Sequence, residues 1–494
     1  MNRKVDCFIA FNNELATQKL VNQLRSSSLV NQVIVLFNSP VNLENCEQIV
    51  VLDNGSCSTI RHIAKMVQSD FALLALGEST IELGQGAIER LVQVAEYTEA
   101  PMAYSNYMEM KDGNLAPYPL IDYQLGSLRD DFNFGPVRLY RADVLKAFRY
   151  EDYEMLKYGG IYALRLRASR MGDLVHIPEY LFTKGETDNR SSSEIQFDYV
   201  KTSARERQLE MEQVCTAHLR DIGALLVAPF PETNFSVEFE TEVSVIIPVR
   251  NRVRTIRDAV VSVLIQKTTF RFNLIVIDNY STDGTTNILN EYEEQGKLIH
   301  LIPERQDLGI GGCWNEGIFH PACGKFVVQL DSDDLYADEN TLQIIVDKFY
   351  EENCAMVIGS YRLTNFDLEE IPDGVIDHRE WTDDNGPNNA LRINGLGAPR
   401  AFYTPVLRKI RVPNVSYGED YALVLAISGK YKIGRIYQPV YLCRRWDDNT
   451  DASADVAQMN THNLYKDRIR TFELKARILR NKKVDPDKDW IDED

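Results

Sequence analysis

The sequence predicts an α/β protein that contains two copies of one doubly wound, Rossmann-like sheet. The first observation is that short apolar segments alternate with helix-forming segments, as in residues 243–248, 256–264 and 274–277. The second is an internal repeat, because residues 135–146 resemble residues 397–408 without a gap. The third is the length of 494 residues, which exceeds what one hydrophobic core usually serves.

The elements of the second copy follow in the order of a doubly wound fold. Residues 243–248 are a short, mostly apolar run, which is typical of a buried strand. Across residues 256–264, apolar side chains recur at three- and four-residue spacing, which predicts a helix. Residues 274–277 predict a second strand, and the polar turn-forming residues 278–284 end it. Residues 326–330 predict the next buried strand.

The first copy repeats this pattern with weaker signals. Residues 7–11 and 33–37 are its first two predicted strands, and residues 158–164 match residues 417–423 further along. A polar, helix-favouring stretch separates the copies. The predicted organisation is a first domain at 1–190, a helical linker at 191–240, a second domain at 241–455, and a C-terminal helix with an acidic tail at 456–494.

Composition limits the classes of function. With 44% hydrophobic and 26% charged residues, the chain can form full hydrophobic cores. A formal net charge of −19 repels phosphate polymers, so we expect no nucleic-acid partner. The sequence shows no signal-peptide core and no apolar run long enough to span a membrane, which favours a cytoplasmic protein, with the inner face of the membrane as a second location. Eight scattered cysteines predict free thiols.

Three carboxylates follow the strand at 326–330, in Asp331, Asp333 and Asp334. Ligands of open α/β sheets bind at the carboxyl ends of the strands. Closely packed carboxylates repel one another unless a cation offsets them, and Mg²⁺ and Mn²⁺ prefer oxygen ligands and substrate phosphates. The segment therefore predicts a divalent metal site, although acidic triplets also occur in ordinary solvated turns.

Four segments of the second copy occur in the order found in a known family. They are residues 246–251, residues 278–284, the Asp-Ser-Asp segment 331–333, and the pair Glu419 and Asp420. With these segments the second copy resembles the family 2 inverting glycosyltransferases with the GT-A fold. The resemblance implies tandem GT-A domains joined by a helical linker, a nucleotide-diphosphate sugar donor, and Mn²⁺ or Mg²⁺ as cofactor.

The resemblance also assigns roles to single residues. It implies Asp333 as the direct metal ligand, with Asp331 holding either the metal or the donor ribose. It implies Asp420 as the general base that takes the proton of the acceptor hydroxyl, with Glu419 orienting a neighbouring group. Asp334 is expected to face away or to cap the next helix. The remaining residues expected to contact the donor are Pro248, Arg250, Asp278, Asn279, Trp314, Ser332, Arg444 and Arg445.

Some positions depart from the family pattern. Asn279 stands where an aspartate often accepts the uracil N3–H, and because an amide oxygen accepts the same bond, a UDP-sugar remains the favoured donor. Trp314 stands where an arginine is common, so neutralisation of the diphosphate falls to Arg250, Arg444 and Arg445. Trp314 either stacks on a ring or fills the core. The Arg445-Trp446 pair resembles part of a processive synthase motif, but Leu442 breaks that motif, which favours addition of one sugar per encounter.

The first copy lacks most of these groups. Residues 77–80 align with residues 331–334, with an uncertainty of one residue, so at most one acid remains. Asp53 begins a segment similar to the nucleotide turn, but it lies too close to residue 77, and Phe37 is the expected counterpart of Asp278. The first copy is therefore predicted to be non-catalytic, serving the acceptor or dimerisation. A metal-independent transferase is the alternative.

Other functions stay open for the whole chain. A sugar nucleotidyltransferase uses a similar sheet, but residues 250–254 lack the glycines that its first loop usually needs. A non-catalytic nucleotide-sugar-binding protein would suit the first copy. The expected acceptor is a glycan or a lipid-linked glycan in surface polysaccharide or glycoconjugate assembly, and a homo-oligomer is compatible with the sequence. The basic amphipathic segment 465–480 is expected to pack on its own domain, with contact to an anionic membrane as the alternative.

Overall fold

A computed structural model shows two nine-stranded mixed sheets, each accompanied by helices, which confirms the predicted α/β class with two doubly wound copies. The predicted domain boundaries are not tested by it and stay a prediction. Residues 191–204 of the linker and 485–494 of the tail lie outside the described residues. The structure describes residues 3–38, 42–111, 113–148, 156–185, 205–446, 449 and 455–484, with the side chains of 372, 373 and 484 excepted.

The central strands of the first sheet are mainly apolar and are buried. Its strands are β1 (Val5–Ala10), β2 (Val30–Phe37), β3 (Glu47–Val50), β4 (Phe71–Ala75), β5 (Ile81–Leu83), β6 (Met102–Lys111), β7 (Asn114–Tyr118), β8 (Arg138–Arg141) and β9 (Leu174–Lys184). The accompanying helices are α1 (Glu14–Ser26), α2 (Cys57–Met66), α3 (Ala87–Thr98), α4 (Ala142–Lys146), α5 (Gly160–Met171) and the linker helix α6 (Arg205–Asp221). The strand order is β3-β2-β1-β4-β8-β6-β9-β5, with β7 paired to β6.

The second sheet has the same topology. Its strands are β10 (Val243–Val249), β11 (Phe272–Asp278), β12 (Ile299–Leu301), β13 (Phe326–Gln329), β14 (Leu335–Tyr336), β15 (Met356–Thr364), β16 (Glu370–Ile376), β17 (Arg400–Tyr403) and β18 (Ile433–Arg444). Its helices are α7 (Ile256–Leu264), α8 (Thr285–Glu294), α9 (Ile310–Phe319), α10 (Thr341–Glu352), α11 (Gly386–Asn389), α12 (Thr404–Ile410), α13 (Glu419–Ser428) and α14 (Val456–Val484). The order β12-β11-β10-β13-β17-β15-β18-β14, with β16 on β15, repeats the first sheet strand by strand.

Strand register aligns the two copies residue by residue. Phe71 on β4 and Phe326 on β13 pair with equivalent first residues of β1 and β10, so they occupy the same place. The predicted alignment of the acid segment is therefore off by one residue, and Glu78 takes the place of Asp333. The equivalents of Asp331, Ser332, Asp333 and Asp334 are Leu76, Gly77, Glu78 and Ser79.

The same register locates the counterpart of the nucleotide turn. β1 and β2 pair Ala10 with Leu36, as β10 and β11 pair Pro248 with Ile277. The next residue in each copy is Phe37 and Asp278, which confirms the expected equivalence. Asp53 instead follows β3 and accepts a hydrogen bond from the Gly55 N–H at 2.7 Å, so it belongs to a different loop.

Each copy is followed by a helix that packs on the other copy. The linker helix α6 contacts both α5 of the first copy and α11 of the second. The C-terminal helix α14 contacts α13 of its own copy, and its Thr471 hydroxyl accepts a bond from the Gly126 N–H of the first copy at 2.9 Å. An ion pair between Asp130 and Arg392 at 2.7 Å joins the segments that precede β8 and β17. The two copies therefore meet through equivalent parts.

The buried face of α14 is not the apolar face that the sequence pattern predicted. Phe472 and Leu479 are 67% and 62% exposed, whereas Asp467, Arg470 and Arg477 are fully buried. Asp467 pairs with Arg470 at 2.7 Å and accepts a bond from the Ser127 hydroxyl of the first copy at 2.8 Å. Because the surface that covers α14 offers charged and polar partners, burial of the polar face is compensated.

Two further expectations concern the chain as a whole. All eight cysteines are free thiols, as predicted, and six of them are buried. Within the part of the chain that the structure describes, no helix combines the length and apolar character needed to cross a membrane.

Candidate functional site

A cavity of about 1180 Å³ lies at the carboxyl ends of β10 and β13 and is lined by both copies. The second copy contributes the acid segment after β13 and the start of α13. The first copy contributes side chains near β7 and β8, including Tyr118, Phe132 and Arg138. The predicted acids of the second copy therefore face a wall formed by the first copy.

Asp333 is a partly buried acid of the segment after β13, with its side chain 14% exposed. Its Oδ2 accepts hydrogen bonds from the Trp446 indole N–H and from the Asn449 amide, both at 3.2 Å. Arg252 lies 3.6 Å from the same oxygen. These donors fix the carboxylate, which lines the cavity.

Asp331 lines the same cavity. Burial and the nearby charge of Asp333 raise the pKa of its carboxyl to about 6, against the opposing effect of Arg400. The Gln329 amide donates to its Oδ1 at 3.3 Å. A divalent cation next to Asp331 and Asp333 would relieve their repulsion, so the pair is suited to one.

Asp334 is buried and serves the fold. Its carboxylate accepts bonds from the Tyr441 hydroxyl at 2.9 Å and from the Arg444 N–H at 2.8 Å, which tie the acid segment to β18. Burial and the charges of Asp333 and Asp331 raise its pKa well above the ordinary value. The expectation that Asp334 caps the next helix is wrong, because Asn340 occupies the N-cap position of α10.

Asp278 orders the predicted nucleotide turn from the inside. It is fully buried and accepts bonds from the Ser281 N–H at 2.9 Å and the Thr286 hydroxyl at 2.5 Å. Burial opposes its ionisation, but these bonds and His300 lower its pKa to about 2. The neighbouring Asn279 donates its amide to the Leu308 carbonyl at 3.0 Å. Asp278 itself does not line the cavity.

The second pair of acids stands at the start of α13. Asp420 forms an ion pair with Arg400 at 2.5 Å, and Arg400 also donates to Gln329 at 2.9 Å. Burial opposes the charge on Asp420, but Arg400 and Lys466 outweigh it and hold the pKa below the ordinary value. Asp420 is therefore ionised, and its position is fixed by a guanidinium group that reaches the strand before the acid segment.

Glu419 has the opposite electrostatic environment. Its side chain is buried, and burial together with the charge of Asp420 raises its pKa to about 8. At neutral pH Glu419 is thus protonated beside an ionised Asp420. Of the two acids, Asp420 is therefore the one whose carboxylate is unprotonated at this pH.

The raised pKa of Glu419 in the folded protein predicts how the stability depends on pH. An ordinary glutamate in the unfolded chain ionises near pH 4.3, whereas folded Glu419 does so near pH 8. Between these values the folded state binds one more proton than the unfolded state. The contribution of Glu419 to the free energy of unfolding is therefore full below pH 4. It is lost at roughly 1.4 kcal/mol per pH unit as the pH rises to about 8. Glu419→Gln removes this slope.

We expect the melting temperature of the Glu419→Gln variant to increase relative to that of the wild type as the pH is raised from 5 to 8. Thermal unfolding in a series of buffers measures this difference. Glu294→Gln makes the same chemical change on the exposed surface of α8 and should follow the wild type. Parallel curves for all three proteins would show that Glu419 ionises normally in the folded state.

The other residues expected to contact the donor divide into two groups. Pro248, Ser332 and Arg445 line the cavity, whereas Arg250 is exposed beyond β10 and is not part of the lining. Trp314 is only 5% exposed and belongs to the hydrophobic core, so its ring fills space as the alternative interpretation held. The guanidinium of Arg444 is buried and bonds Asp258 at 2.9 Å, which directs it away from the cavity.

Sequence reasoning missed several residues that line the cavity beside the acids. Arg400 was detectable, because the internal repeat retains an arginine at this position in both copies. Arg252, Asn449 and Lys466 come from three separate segments, and no spacing in the sequence relates them to the acids. Lys466 reaches the cavity from α14 and donates to the Asn394 carbonyl at 2.7 Å.

Among the residues that the structure describes, no group of three or more His, Cys, Asp or Glu side chains is arranged to hold a metal ion. The available protein ligands are the carboxylates of Asp331 and Asp333. Mg²⁺ and Mn²⁺ sites in transferases commonly use one or two carboxylates and complete their shell with substrate phosphates and water. The donor set therefore fits a metal that binds together with a nucleotide diphosphate.

The equivalent place in the first copy is filled by protein. Gly160 takes the position of Glu419, and a Cβ added there would lie 2.6 Å from backbone atoms of Ser56 and Cys57. Glu210 of α6 accepts bonds from the N–H groups of residues 157–159 at 2.7 to 3.0 Å. A carboxylate from the linker helix thus binds the backbone N–H groups just ahead of α5, and an acid at position 160 has no room.

A mixed sheet with this strand order, with carboxylates after β13 and at the start of α13 lining one cavity at the carboxyl ends of the strands, is an arrangement of the GT-A class. The sequence model of the family described as Glycosyl transferase family 2 matches residues 244–402. The second half of the chain therefore contains a family 2 glycosyltransferase domain, at residues 244–402.

Named relatives are similar to part of the chain. An uncharacterized glycosyltransferase of Rickettsia felis is 32% identical over 201 residues, which cover 40% of this chain and 32% of the relative. A putative teichuronic acid biosynthesis glycosyltransferase of Bacillus subtilis, TuaG, is 29% identical over 189 residues, or 38% of this chain and 72% of the relative. The chain spans about a third of the length of its Rickettsia relatives. Residues 1–349 of Staphylococcus aureus TarS in complex with UDP have a TM-score of 0.35 at 19% identity, over 49% of this chain and 73% of that TarS chain.

Proposed function

We propose that the second copy transfers one sugar from a nucleotide-diphosphate sugar to a hydroxyl group of an acceptor, with inversion at the anomeric carbon. The observation that carries this proposal is a single cavity that contains both the pair Asp331 and Asp333 and the ionised Asp420. Asp331 and Asp420 are close enough to affect each other's ionisation. Donor activation and acceptor deprotonation can therefore take place side by side.

Asp420 acts as the general base in this proposal. Its low pKa makes it a weak base for a resting alcohol. The acceptor hydroxyl becomes strongly acidic as its oxygen bonds to the anomeric carbon, so the proton moves to Asp420 during the displacement while the nucleoside diphosphate leaves from the opposite face. Arg400 keeps the carboxylate ionised and aimed, and protonated Glu419 avoids a second negative charge beside it.

Asp333 and Asp331 would hold Mn²⁺ or Mg²⁺ when the donor binds. A bound cation supplies electrostatic stabilisation of the leaving diphosphate. Arg252 and Arg445 line the cavity beside these acids and add positive charge near the same group. The amide oxygen of Asn279 is suited to accept the uracil imide N–H, so a UDP-sugar is the proposed donor.

The proposed setting is the assembly of a surface polysaccharide or glycoconjugate on the cytoplasmic side of the membrane. The name of the Bacillus relative, which refers to teichuronic acid, supports this setting, as does the name of an O-antigen chain rhamnosyltransferase of Salmonella anatum. The acceptor would be a glycan or a lipid-linked glycan. The first copy is proposed to have no reaction of its own and to form the acceptor side of the cavity, because Ile161 stands at the position of the base Asp420 and Gly160 at that of Glu419.

Incubation of the full chain with a panel of nucleotide sugars and Mn²⁺ tests this function. We expect slow hydrolysis that releases nucleoside diphosphate from one donor, and we expect its loss when EDTA removes the metal. Once a sugar that serves as acceptor is found, NMR of the product gives its anomeric configuration, which tests inversion. Release of pyrophosphate from a sugar phosphate and a nucleoside triphosphate would identify a nucleotidyltransferase instead. Tight donor binding without any turnover would favour the non-catalytic binding protein.

A further inference from the structure

The wall that the first copy contributes to the cavity contains a cation with no acidic partner among the described residues. Arg138 is the first residue of β8, is half-buried, and lines the cavity. Its neighbours on this wall are neutralised, since Arg129 pairs with Asp131 at 2.9 Å and Asp130 pairs with Arg392 at 2.7 Å. No carboxylate of the described residues pairs with Arg138, and none affects its ionisation.

Comparison of the two copies shows which hydrogen-bond partners Arg138 lacks. β8 and β17 begin at equivalent arginines, Arg138 and Arg400. In the second copy the guanidinium binds the Asp420 carboxylate and the Gln329 amide oxygen. The first copy has Ile161 and Leu74 at those two positions. The arginine therefore remains where both of its side-chain acceptors have been replaced by apolar side chains.

The surroundings of Arg138 add positive charge and free donors. The guanidinium groups of Arg138 and Arg165 lie 5.5 and 5.3 Å from the ring of Phe134. Burial and Arg165 both lower the pKa of Arg138, and its one favourable polar neighbour is Tyr140. The Tyr140 hydroxyl and the Nε of Arg165 are buried without a hydrogen-bond acceptor among the described residues. Buried charges of one sign are costly unless an anion joins them.

We propose that Arg138 binds an oxyanion of the acceptor, such as the carboxylate of an acidic sugar or the phosphate of a phosphorylated one. The inference rests on the proposed glycosyl transfer, because it assigns the acceptor to the first-copy wall and the donor to the acids of the second copy. The chain carries a net charge of −19, so an anionic acceptor needs a local cationic site to bind at all. A guanidinium matches the geometry of both oxyanions through paired N–H bonds.

Titration of the full chain, saturated with UDP and Mn²⁺, with three small probes tests this site. The probes are methyl β-D-glucuronide, glucose 6-phosphate and methyl β-D-glucoside, which carry a carboxylate, a phosphate and no charge. We expect at least one anionic probe to bind about tenfold more tightly than the neutral glucoside. Arg138→Gln should remove that preference, and Arg138→Lys should keep part of it.

Arg141→Gln is the matched control, because Arg141 stands at the other end of β8 and pairs with Asp143 outside the cavity. It should keep the preference, and all variants should bind UDP as the wild type does, which also shows that they fold. Equal binding of the three probes to the wild type would overturn the proposal, and that result does not depend on any variant. So would a weaker affinity for UDP in Arg138→Gln, which would assign Arg138 to the donor. Failure of glycosyl transfer itself would appear separately, as absence of nucleoside diphosphate release.

Discussion

Replacing Asp420 with asparagine is expected to lower the turnover number by about a hundredfold or more while donor affinity stays near that of the wild type. The substitution keeps the size of the side chain and its hydrogen bond to Arg400, but it removes the group that accepts the proton. Arg400 is then left without its ion pair at 2.5 Å, so some loss of stability is also expected. Single-turnover kinetics with a saturating donor separates the chemical step from binding.

The adjacent Glu419 provides the control for this experiment. Because Glu419 is protonated below about pH 8, Glu419→Gln should change the rate little at pH 7. The two variants differ by one position and make the same kind of change, so general damage to α13 would affect both. If Glu419→Gln is the slow variant and Asp420→Asn is not, Glu419 is the base and the electrostatic assignment of the pair is reversed.

Replacing Asp333 with alanine is expected to weaken metal-dependent binding of the nucleoside diphosphate by about a hundredfold, or roughly 2.7 kcal/mol. The folded protein should keep its melting temperature, because removal of one charge from a repelling cluster offsets the loss of the contacts with Trp446 and Asn449. Calorimetric titration with UDP, with and without Mn²⁺, measures the metal-dependent part of the affinity.

Asp338→Ala is the matched control for this prediction. Asp338 is an exposed acid in the loop after β14, so its loss changes the net charge by the same amount outside the cavity. Wild-type affinity in Asp338→Ala together with the loss in Asp333→Ala would assign the effect to one carboxylate. Unchanged metal-dependent affinity in Asp333→Ala would remove this residue from the ligand set and make Asp331 the first candidate.

The sequence was sufficient to predict the fold class, because a mostly apolar run such as that of β10 is typical of a strand in a sheet that is covered on both faces. The internal repeat then predicted the second sheet, whose strand order is identical. The prediction for α14 was wrong for a physical reason. Its periodicity identifies an apolar face, but the face that becomes buried depends on the partner surface, and here that surface offers acceptors for Arg470 and Arg477.

The candidate site was predictable where a strand or a helix end delivers the side chain. Asp331, Asp333 and Asp420 lie at such ends, and the structure brings them into one cavity. The environment of each acid was not predictable from spacing. The pKa values of Glu419 and Asp420 move in opposite directions because Arg400 forms its ion pair with Asp420, whereas burial and the charge of Asp420 outweigh the effect of Arg400 on Glu419. The position of Arg400 depends on how β17 and α13 pack.

The reciprocal packing of α6 and α14 has a consequence for how such a chain can change over generations. Each copy supplies the helix that covers the other, and ion pairs such as that of Asp130 with Arg392 cross between them. A deletion that removed the first copy would expose to water the surface that α6 and Asp130 now cover. We therefore expect the first copy to be free to lose reactive acids one by one, but not free to disappear. The second copy needs the interface with the first copy, whether or not the first copy retains any reactive groups.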